Sequence, residues 1–556
     1  MRTTTDESQQ YAEVSVAVEA PDAKPQQPSV AKPGKLPEKV AVLICHGMGQ
    51  QVQFETLDSV TREVRDAAES CGTLVTPKPD IAVSLHPDAD RFVGRAELKL
   101  KRSDGSPVEV HFYETYWAPI TEGRVTLRET LSFFVDAARR GLRFAYQEGV
   151  FDRWMFGGRE EFEIPARRVL QLGLGMWILL LITAAFAAIA LIPLLGFVDL
   201  FRGGQADPQL AITIALAFSI LACLVMLAVL TAIVGWILRP RADTKRPKAV
   251  IDAPLGILAP RKWKRVVMVL VVESIMLLTT LFGVWVGIKM YEQWLLPVVN
   301  NPASHPVSLI FAALLFVAEF LLLRQFVQGF LIEFAGDVAA YVSPYKVSKF
   351  EEIRRDIQER GRRIARFIYS ARAADSIDPL YGAVFVVGHS LGSVIAYDTL
   401  NDAINRDTLA NGWGSAATYG VVDRTKLLLT FGSPLDKTAF VFRTQKPNRE
   451  FDVREALAAS VQPLILSYAN RNAHWLNLWS RSDWISGPIG YYDAPQPPPG
   501  KGVCNIENAG SHFPGTAHTD YWTGQLFRGV LHAALTGVCP NDVPEPQRSQ
   551  VLAALA

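Results

Sequence analysis

Short apolar runs that lead into glycine-containing turns are the clearest structural pattern in this sequence. One run covers 40–45 and another covers 383–387. Runs of this length are typical of strands buried on both faces of a sheet. The second run is followed by apolar residues at helical spacing, which are Val394, Ile395, Tyr397 and Leu400. A buried strand that turns into a helix predicts an α/β fold.

A second pattern is a group of much longer apolar blocks in the middle of the chain. Blocks 169–198 and 209–238 each hold thirty residues without a charge, and a helix needs about 20 residues to cross a bilayer. Two weaker candidates, each interrupted by charged residues, lie at 266–288 and 307–331. We therefore predict a transmembrane region of about four helical spans within 166–334, with a lipid bilayer as its partner.

The basic residues between these blocks predict an orientation. The loop between the second and third blocks holds nine Lys and Arg residues, whereas the other two loops hold one each. Basic loops of membrane proteins usually face the cytoplasm. The prediction is an integral, multi-pass membrane protein whose two termini and catalytic domain lie on the cytoplasmic side.

The same patterns divide the chain into five segments. The polar segment 1–38 has too few apolar residues for a core, lacks the apolar centre of a signal peptide, and is predicted to be a disordered tail. The others are the first part of an α/β domain at 39–165, the transmembrane region at 166–334, the second part of the α/β domain at 335–540, and a tail at 541–556.

Composition narrows the possible partners and cofactors. The formal net charge is +1, so no global charge favours nucleic acid as a partner. The five cysteines are scattered and include no C-x-x-C pair, so neither a disulfide framework nor a zinc site is indicated. We expect no metal and no organic cofactor, and the sequence does not indicate an oligomeric state.

The segment Gly388-His389-Ser390-Leu391-Gly392 is the strongest candidate for catalysis. Its G-x-S-x-G pattern follows the apolar run at 383–387 and precedes the predicted helix. Two glycines permit a sharp strand-to-helix turn that exposes a nucleophilic serine at the end of a strand. The alternative is a serine in an ordinary turn, and this context favours Ser390 as a nucleophile.

A second candidate motif, His46-Gly47-Met48-Gly49, follows the apolar run at 40–45. A glycine-flanked turn at the end of a strand can aim backbone N–H groups at a reacting oxygen. We assign the N–H groups of Met48 and Leu391 to an oxyanion hole. The alternative is that His46 and Gly47 form an ordinary strand exit.

These segments together resemble the α/β-hydrolase superfamily, and in particular its lipase-like serine esterases. The matching stretches are V-L-I-C-H-G-M-G at 42–49, V-V-G-H-S-L-G-S-V-I-A-Y-D at 386–398 and L-L-L-T-F-G-S-P-L at 427–435. The first two are also similar in part to intracellular phospholipases of the DDHD type, without a recognisable DDHD quartet. The resemblance covers about 39–60 and 340–525, and it implies an α/β-hydrolase fold with a Ser–His–Asp triad.

The family order of nucleophile, acid and base suggests the two other members of the triad. Asp483 follows an alternating apolar segment that could be a strand, and Asp436 is the alternative acid one strand earlier. For the base we favour His518, in the phrase A-H-T-D-Y-W, over His512. His532 lies in an apolar helical stretch, where a structural role is expected.

The expected function is hydrolysis of a carboxylic ester through an acyl-enzyme. A membrane anchor would place the site at a lipid interface, which favours a lipid ester as the substrate. A thioesterase or acyltransferase with the same triad is one alternative. A non-catalytic membrane sensor or scaffold with a hydrolase-like domain is the other.

Overall fold

The structure is a computed structural model. It describes residues 38–49, 51–76, 78–85, 92–133, 321, 335–342, 348–373, 377–408, 419–438, 473–483, 485–489, 502–508 and 517–556. The predicted tail at 1–38 apart from its last residue, nearly all of the predicted transmembrane region and the alternative base His512 lie outside these residues.

Eight strands run through the described residues. They are β1 (Lys39–Cys45), β2 (Asp80–Leu85), β3 (Phe92–Lys101), β4 (Pro107–Thr115), β5 (Ala383–His389), β6 (Thr425–Phe431), β7 (His474–Trp479) and β8 (Val503–Glu507). The helices are α1 (Glu55–Ser70), α2 (Ala118–Thr121), α3 (Ala335–Val342), α4 (Ser348–Ser370), α5 (Leu391–Thr408), α6 (Val421–Arg424), α7 (Gln525–Thr536) and α8 (Gln547–Leu555).

The strands form one mixed sheet in the order β2-β3-β4-β1-β5-β6-β7-β8. Strands β4, β1, β5, β6, β7 and β8 are parallel, and β2 and β3 add an antiparallel edge. The two distant parts of the chain meet where β1 pairs with β5, with Val40 opposite Ala383 and Cys45 opposite Gly388. The described residues therefore have the α/β architecture that the apolar runs predicted.

Helices cover both faces of the sheet. Side chains of α3, α4 and α5 share a hydrophobic core with one face, and those of α1, α7 and α8 share a core with the other. Because β1 and β5 are covered on both sides, every residue of β5 is buried. This double burial explains why these strands are continuous apolar runs in the sequence.

The strand order reverses at β1 and β5, which positions the candidate site. From β1 the chain continues towards β2, β3 and β4 on one side, whereas β5 leads towards β6, β7 and β8 on the other. In open α/β sheets, ligands bind outside the carboxyl ends of strands at such a reversal. The turns at His46-Gly47 and His389-Ser390 both lie at these carboxyl ends.

The predicted division of the fold by a four-helix transmembrane insertion is corrected. No helix among the described residues is long and apolar enough to cross a membrane. The longest, α4, spans 23 residues but carries charged side chains along its length, and a charge within a bilayer is costly. The multi-pass, membrane-integral localisation is therefore not supported, and the four apolar blocks themselves lie outside the described part of the chain apart from residue 321.

Residues 541–556 contain a helix that the sequence analysis did not predict. Helix α8 lies against β7 and β8, and Val551 is fully buried there. Its side chain belongs to the same core as α1 and α7. This end of the chain thus contributes to the sheet's helical layer.

Candidate active site

The turn between β5 and α5 holds Ser390 in an unusual backbone conformation. Ser390 has φ 52°, and only one other described non-glycine residue, Phe54, has a positive φ. Such a conformation is unfavourable for a residue with a side chain and often occurs at functional sites. The Ser390 N–H donates to the carbonyl of Phe431 at 3.0 Å. Pairing with β6 therefore stabilises the strained turn.

The two glycines of the motif are required by close packing. A Cβ at Gly388 would lie 2.6 Å from the carbonyl oxygen of Gly392 and from Cα of Ser393. A Cβ at Gly392 would overlap the carbonyl oxygens of Cys45 and His46. Helix α5 thus begins directly against the end of β1. This contact brings the serine turn and the His46-Gly47 turn together.

The structure brings Ser390, His518 and Asp483 into one hydrogen-bonded chain. His518 Nε2 lies 2.8 Å from Ser390 Oγ, and His518 Nδ1 lies 3.0 Å from Asp483 Oδ2. Since an ionised carboxylate can only accept, Nδ1 carries the proton and Nε2 accepts from the serine hydroxyl. Ser390 is 1% exposed and Asp483 4% exposed. This is the arrangement in which an imidazole can remove the proton of a serine.

Three donors surround the carboxylate of Asp483. Its Oδ1 accepts from the Ile485 N–H at 2.8 Å, and its Oδ2 accepts from the Tyr521 hydroxyl at 3.1 Å as well as from His518. The Ser486 hydroxyl donates in turn to the Tyr521 hydroxyl oxygen, 2.9 Å away. Asp483 is therefore fixed in position before it orients the histidine.

Electrostatics keep Asp483 ionised. Burial alone raises the pKa of this carboxyl, but the hydrogen bonds from His518 and from the Ile485 amide outweigh burial and lower the pKa below its usual value. The carboxylate is therefore negative throughout the neutral range. A fixed negative charge at Nδ1 stabilises the imidazolium that forms when His518 accepts a proton.

His389, the residue before Ser390, has a buried ring that contacts His518. Burial, followed by the nearby His518, lowers the pKa of His389 to about 3, so its ring is neutral. Its Nε2 lies 3.0 Å from the carbonyl oxygen of His518, and since a carbonyl only accepts, Nε2 carries the proton. The rings of Phe431 and Trp522 enclose it. His389 thus positions His518 and is not itself placed to accept a proton from substrate.

His46 has a comparable supporting role at the end of β1. Burial lowers its pKa to about 4. The ring stacks on Trp117, its Nε2 accepts from the Trp117 N–H at 3.0 Å, and its Nδ1 lies 2.8 Å from the Gly47 carbonyl. The Trp117 indole also donates to the His46 carbonyl at 3.1 Å. His46 is therefore a neutral ring that fixes the turn.

The predicted oxyanion amides lie on segments that flank the nucleophile. A Cβ at Gly47 would lie 3.1 Å from Ser390 Cβ, so the turn that carries Met48 passes against the serine. Leu391 is the first residue of α5, where a backbone N–H has no acceptor within the helix. Gly49 has φ 89°. Met48 and Leu391 thus both lie in turns beside Ser390, where an oxyanion hole would have to be.

The alternative site residues are placed as follows. Among the described residues, the carboxylate that contacts His518 is Asp483 and not Asp436. Asp436 lies after β6, and His512 is outside the described residues. His532 is buried in α7, where its ring bonds to the Thr73 hydroxyl and the Val538 carbonyl, both at 2.7 Å.

One group of possible metal ligands occurs in the described part of the chain. It comprises Glu97, Glu109 and His111, on the sheet face that α4 covers. Each carboxylate already has a cationic partner, because Arg95 lies 2.6 Å from Glu97 and Lys39 lies 2.8 Å from Glu109. His111 Nε2 also donates to the Glu109 carboxylate, 2.6 Å away. The arrangement is accounted for by these internal ion pairs.

Sequence reasoning missed several residues that hold the site. Tyr521 and Ser486 lie three residues after His518 and Asp483 respectively, so their proximity to the triad was a usable signal. Ser393, in the first turn of α5, donates its hydroxyl to the Ser390 carbonyl at 2.6 Å. Asp337 contacts Gly49 across 288 positions, and nothing local in the sequence indicates this contact.

Comparisons with known proteins do not assign the chain to a group. No family model, no curated protein and no solved structure matches it.

Proposed function

We propose that this protein is a serine hydrolase that cleaves carboxylic esters through an acyl-enzyme. The observation that carries the proposal is the Ser390–His518–Asp483 chain of hydrogen bonds, 2.8 Å and 3.0 Å long, at a strained strand-to-helix turn. A serine in an ordinary turn is not expected to lie within hydrogen-bond distance of an imidazole that a carboxylate orients. The motif resemblance to lipase-like α/β-hydrolases supports the same reaction.

In the first half of the reaction, Ser390 Oγ attacks the ester carbonyl while His518 Nε2 takes its proton. The carbonyl oxygen becomes negative, and the amides of Met48 and Leu391 donate to it. The tetrahedral intermediate then collapses. The bond to the alcohol oxygen breaks, His518 returns the proton to the departing alcohol, and the acyl group stays on Ser390.

In the second half, water replaces the alcohol. His518 Nε2 removes a proton from the water as the water oxygen attacks the acyl carbonyl. When the intermediate collapses, the bond to Ser390 Oγ breaks, His518 returns the proton to Oγ, and the carboxylic acid is released. Asp483 stays ionised in both halves and stabilises the imidazolium. Ser390, His518 and Asp483 are the only side chains that these proton transfers require.

The proposed substrate is a carboxylic ester, with no further assignment of its acid or alcohol part. The expectation of a lipid ester depended on a membrane anchor, and that localisation is corrected above. The membrane sensor or scaffold alternative loses its support for the same reason. A thioesterase or acyltransferase would differ only in the leaving group or the acceptor that replaces water.

Hydrolysis of p-nitrophenyl butyrate tests the proposal. Wild type should turn the ester over, and Ser390→Ala should lower kcat by about 10⁴-fold or more because the nucleophile is lost. Ser59→Ala, on the exposed surface of α1, is the matched control and should keep wild-type activity. A Ser390→Ala variant that retains a tenth of the activity would contradict the proposal. Added alcohol that captures the acyl group in preference to water would identify an acyltransferase.

A further inference from the structure

The turn of residues 46–49, called here the oxyanion turn, is anchored at both ends. At its start, the His46 ring and carbonyl bond to the backbone and indole of Trp117. At its end, the Gly49 N–H donates to Asp337 Oδ2 at 2.9 Å. Met48, whose N–H is assigned to the developing oxyanion, lies between these two anchors.

The anchor at Gly49 comes from a distant part of the chain. Asp337 lies in the first turn of α3, 288 positions after Gly49. Its side chain is 5% exposed, so solvent does not compete freely for the carboxylate. An ionised acceptor forms a stronger hydrogen bond to a backbone N–H than a neutral one does.

The turn itself is intrinsically weakly constrained. Met48 is flanked by Gly47 and Gly49, and glycine restricts backbone rotation less than any other residue. Gly49 adopts φ 89°, which a residue with a side chain would rarely adopt. The direction of the Met48 N–H therefore depends on what holds the two ends.

We propose that Asp337 is a positioning residue that aims the Met48 N–H at the oxyanion by fixing Gly49. This inference rests on the proposed ester hydrolysis. With this role for Asp337, the proposed active site includes a residue of α3, a helix that carries none of the proposed catalytic side chains. Loss of the anchor would weaken stabilisation of negative charge on oxygen and leave the Ser390–His518–Asp483 chain intact.

A pair of substrates separates this role from a purely structural one. An oxyanion hole acts on the negative oxygen of the intermediate, whereas the sulfur of a thionoester accepts hydrogen bonds poorly. The measurement is kcat/KM for p-nitrophenyl butyrate divided by that for its thiono analogue, in wild type, Asp337→Ala and Asp337→Asn. Removal of one oxyanion donor costs about 10²–10³ in kcat, so a misdirected donor should lower the ratio about tenfold.

The expected pattern is specific to each variant. Asp337→Ala should lose most of its oxoester activity through kcat, with KM nearly unchanged and thionoester activity nearly retained. Asp337→Asn, whose carbonyl oxygen can still accept from Gly49, should keep the ratio within about threefold of wild type. Asp356→Ala, on α4 in an ion pair with Arg124, is the matched control and should not change the ratio.

Several outcomes would overturn the inference. A ratio that is unchanged in Asp337→Ala, whether both activities persist or both fall together, assigns Asp337 a structural role only. If Asp337→Ala does not fold, Asp337→Ser, whose hydroxyl is too short to replace the carboxylate, takes its place with the same expectation. A folded wild type that turns over neither ester would instead refute the proposed function, and the inference with it.

Discussion

At the scale of single residues, the candidate site holds Asp483, the proposed acid, through three hydrogen-bond donors. Asp483 accepts from Ile485, Tyr521 and His518. The sequence left Asp436 open as an alternative because both aspartates follow apolar segments. The choice between them needed the three-dimensional position of His518, which spacing does not supply.

The two aspartates provide a matched pair of variants. Asp483→Asn should lower kcat of ester hydrolysis by about 10³–10⁴-fold, because an amide in this position favours the wrong tautomer of the histidine. Asp436→Asn should stay within about threefold of wild type. Steady-state kinetics of both variants check this prediction, and equal losses in the two would contradict the assignment of the acid.

Glu114 predicts a pH dependence of stability. It lies at the end of β4, is 8% exposed, and accepts from the Phe54 N–H at 2.7 Å. Burial raises the pKa of Glu114 to about 7, whereas an unfolded glutamate has a pKa of about 4.3. The unfolded chain thus releases this proton at lower pH than the folded chain does. The contribution of Glu114 to the free energy of unfolding therefore falls as pH rises between these two values.

Replacing Glu114 by Gln should remove this contribution. Gln keeps an acceptor for Phe54 but cannot ionise, so Glu114→Gln should be more stable than wild type by ~2–3 kcal/mol at pH 8. At pH 4 the two proteins should be nearly equal. Chemical denaturation at both pH values is the measurement, and Glu69→Gln, exposed on α1, is the control. A difference that is the same at pH 4 and pH 8 would refute the prediction.

At the scale of elements, strands buried on both faces could be predicted and those at the edge could not. β1 and β5 are continuous apolar runs because helices cover both faces. In β3, Ala96, Leu98 and Leu100 are buried while Arg95 and Glu97 face the other side. That alternation is visible in the sequence, and β3 pairs with β2 and β4, its neighbours in the chain.

The packing of α4 on α5 gives a prediction for these elements. A Cβ at Gly361 of α4 would overlap the Thr399 hydroxyl of α5. Gly361→Ala should therefore destabilise the fold by about 1–3 kcal/mol, although alanine favours an isolated helix by about 1 kcal/mol. The double variant Gly361→Ala/Thr399→Ala should recover most of the lost free energy of unfolding, so that the effects of the two substitutions are not additive in a double-mutant cycle. Thermal or chemical unfolding of the four proteins measures this, and stabilisation by Gly361→Ala alone would be the contrary result.

At the scale of the whole molecule, the candidate site is assembled from segments far apart in the sequence. The oxyanion turn follows β1, the nucleophile follows β5, the acid follows β7, and the base precedes α7. The motif residues predicted which strand ends would meet, because parallel strands present their carboxyl ends at one edge of a sheet. The contact from Asp337 to Gly49 had no such signal.

At this scale, the prediction of a membrane protein, which came from long apolar blocks and from the basic residues between them, is corrected. Among the described residues no helix could cross a bilayer. The helices that pack on the sheet, such as α4, have one apolar face and one charged face. The hydropathy of a long block measures its apolar content. It does not by itself distinguish a helix in a lipid bilayer from a helix in a protein core.

Labelling with a fluorophosphonate probe is the most direct test of Ser390 as a nucleophile, because the probe bonds covalently to an activated serine. Purified wild type should be labelled, and peptide mapping should place the label on Ser390. The Ser390→Ala variant should not be labelled. His518→Gln should label at least about 10²-fold more slowly, since its base is lost. A folded wild type that is not labelled, or a label on any other residue, would contradict the assignment of Ser390 as a nucleophile.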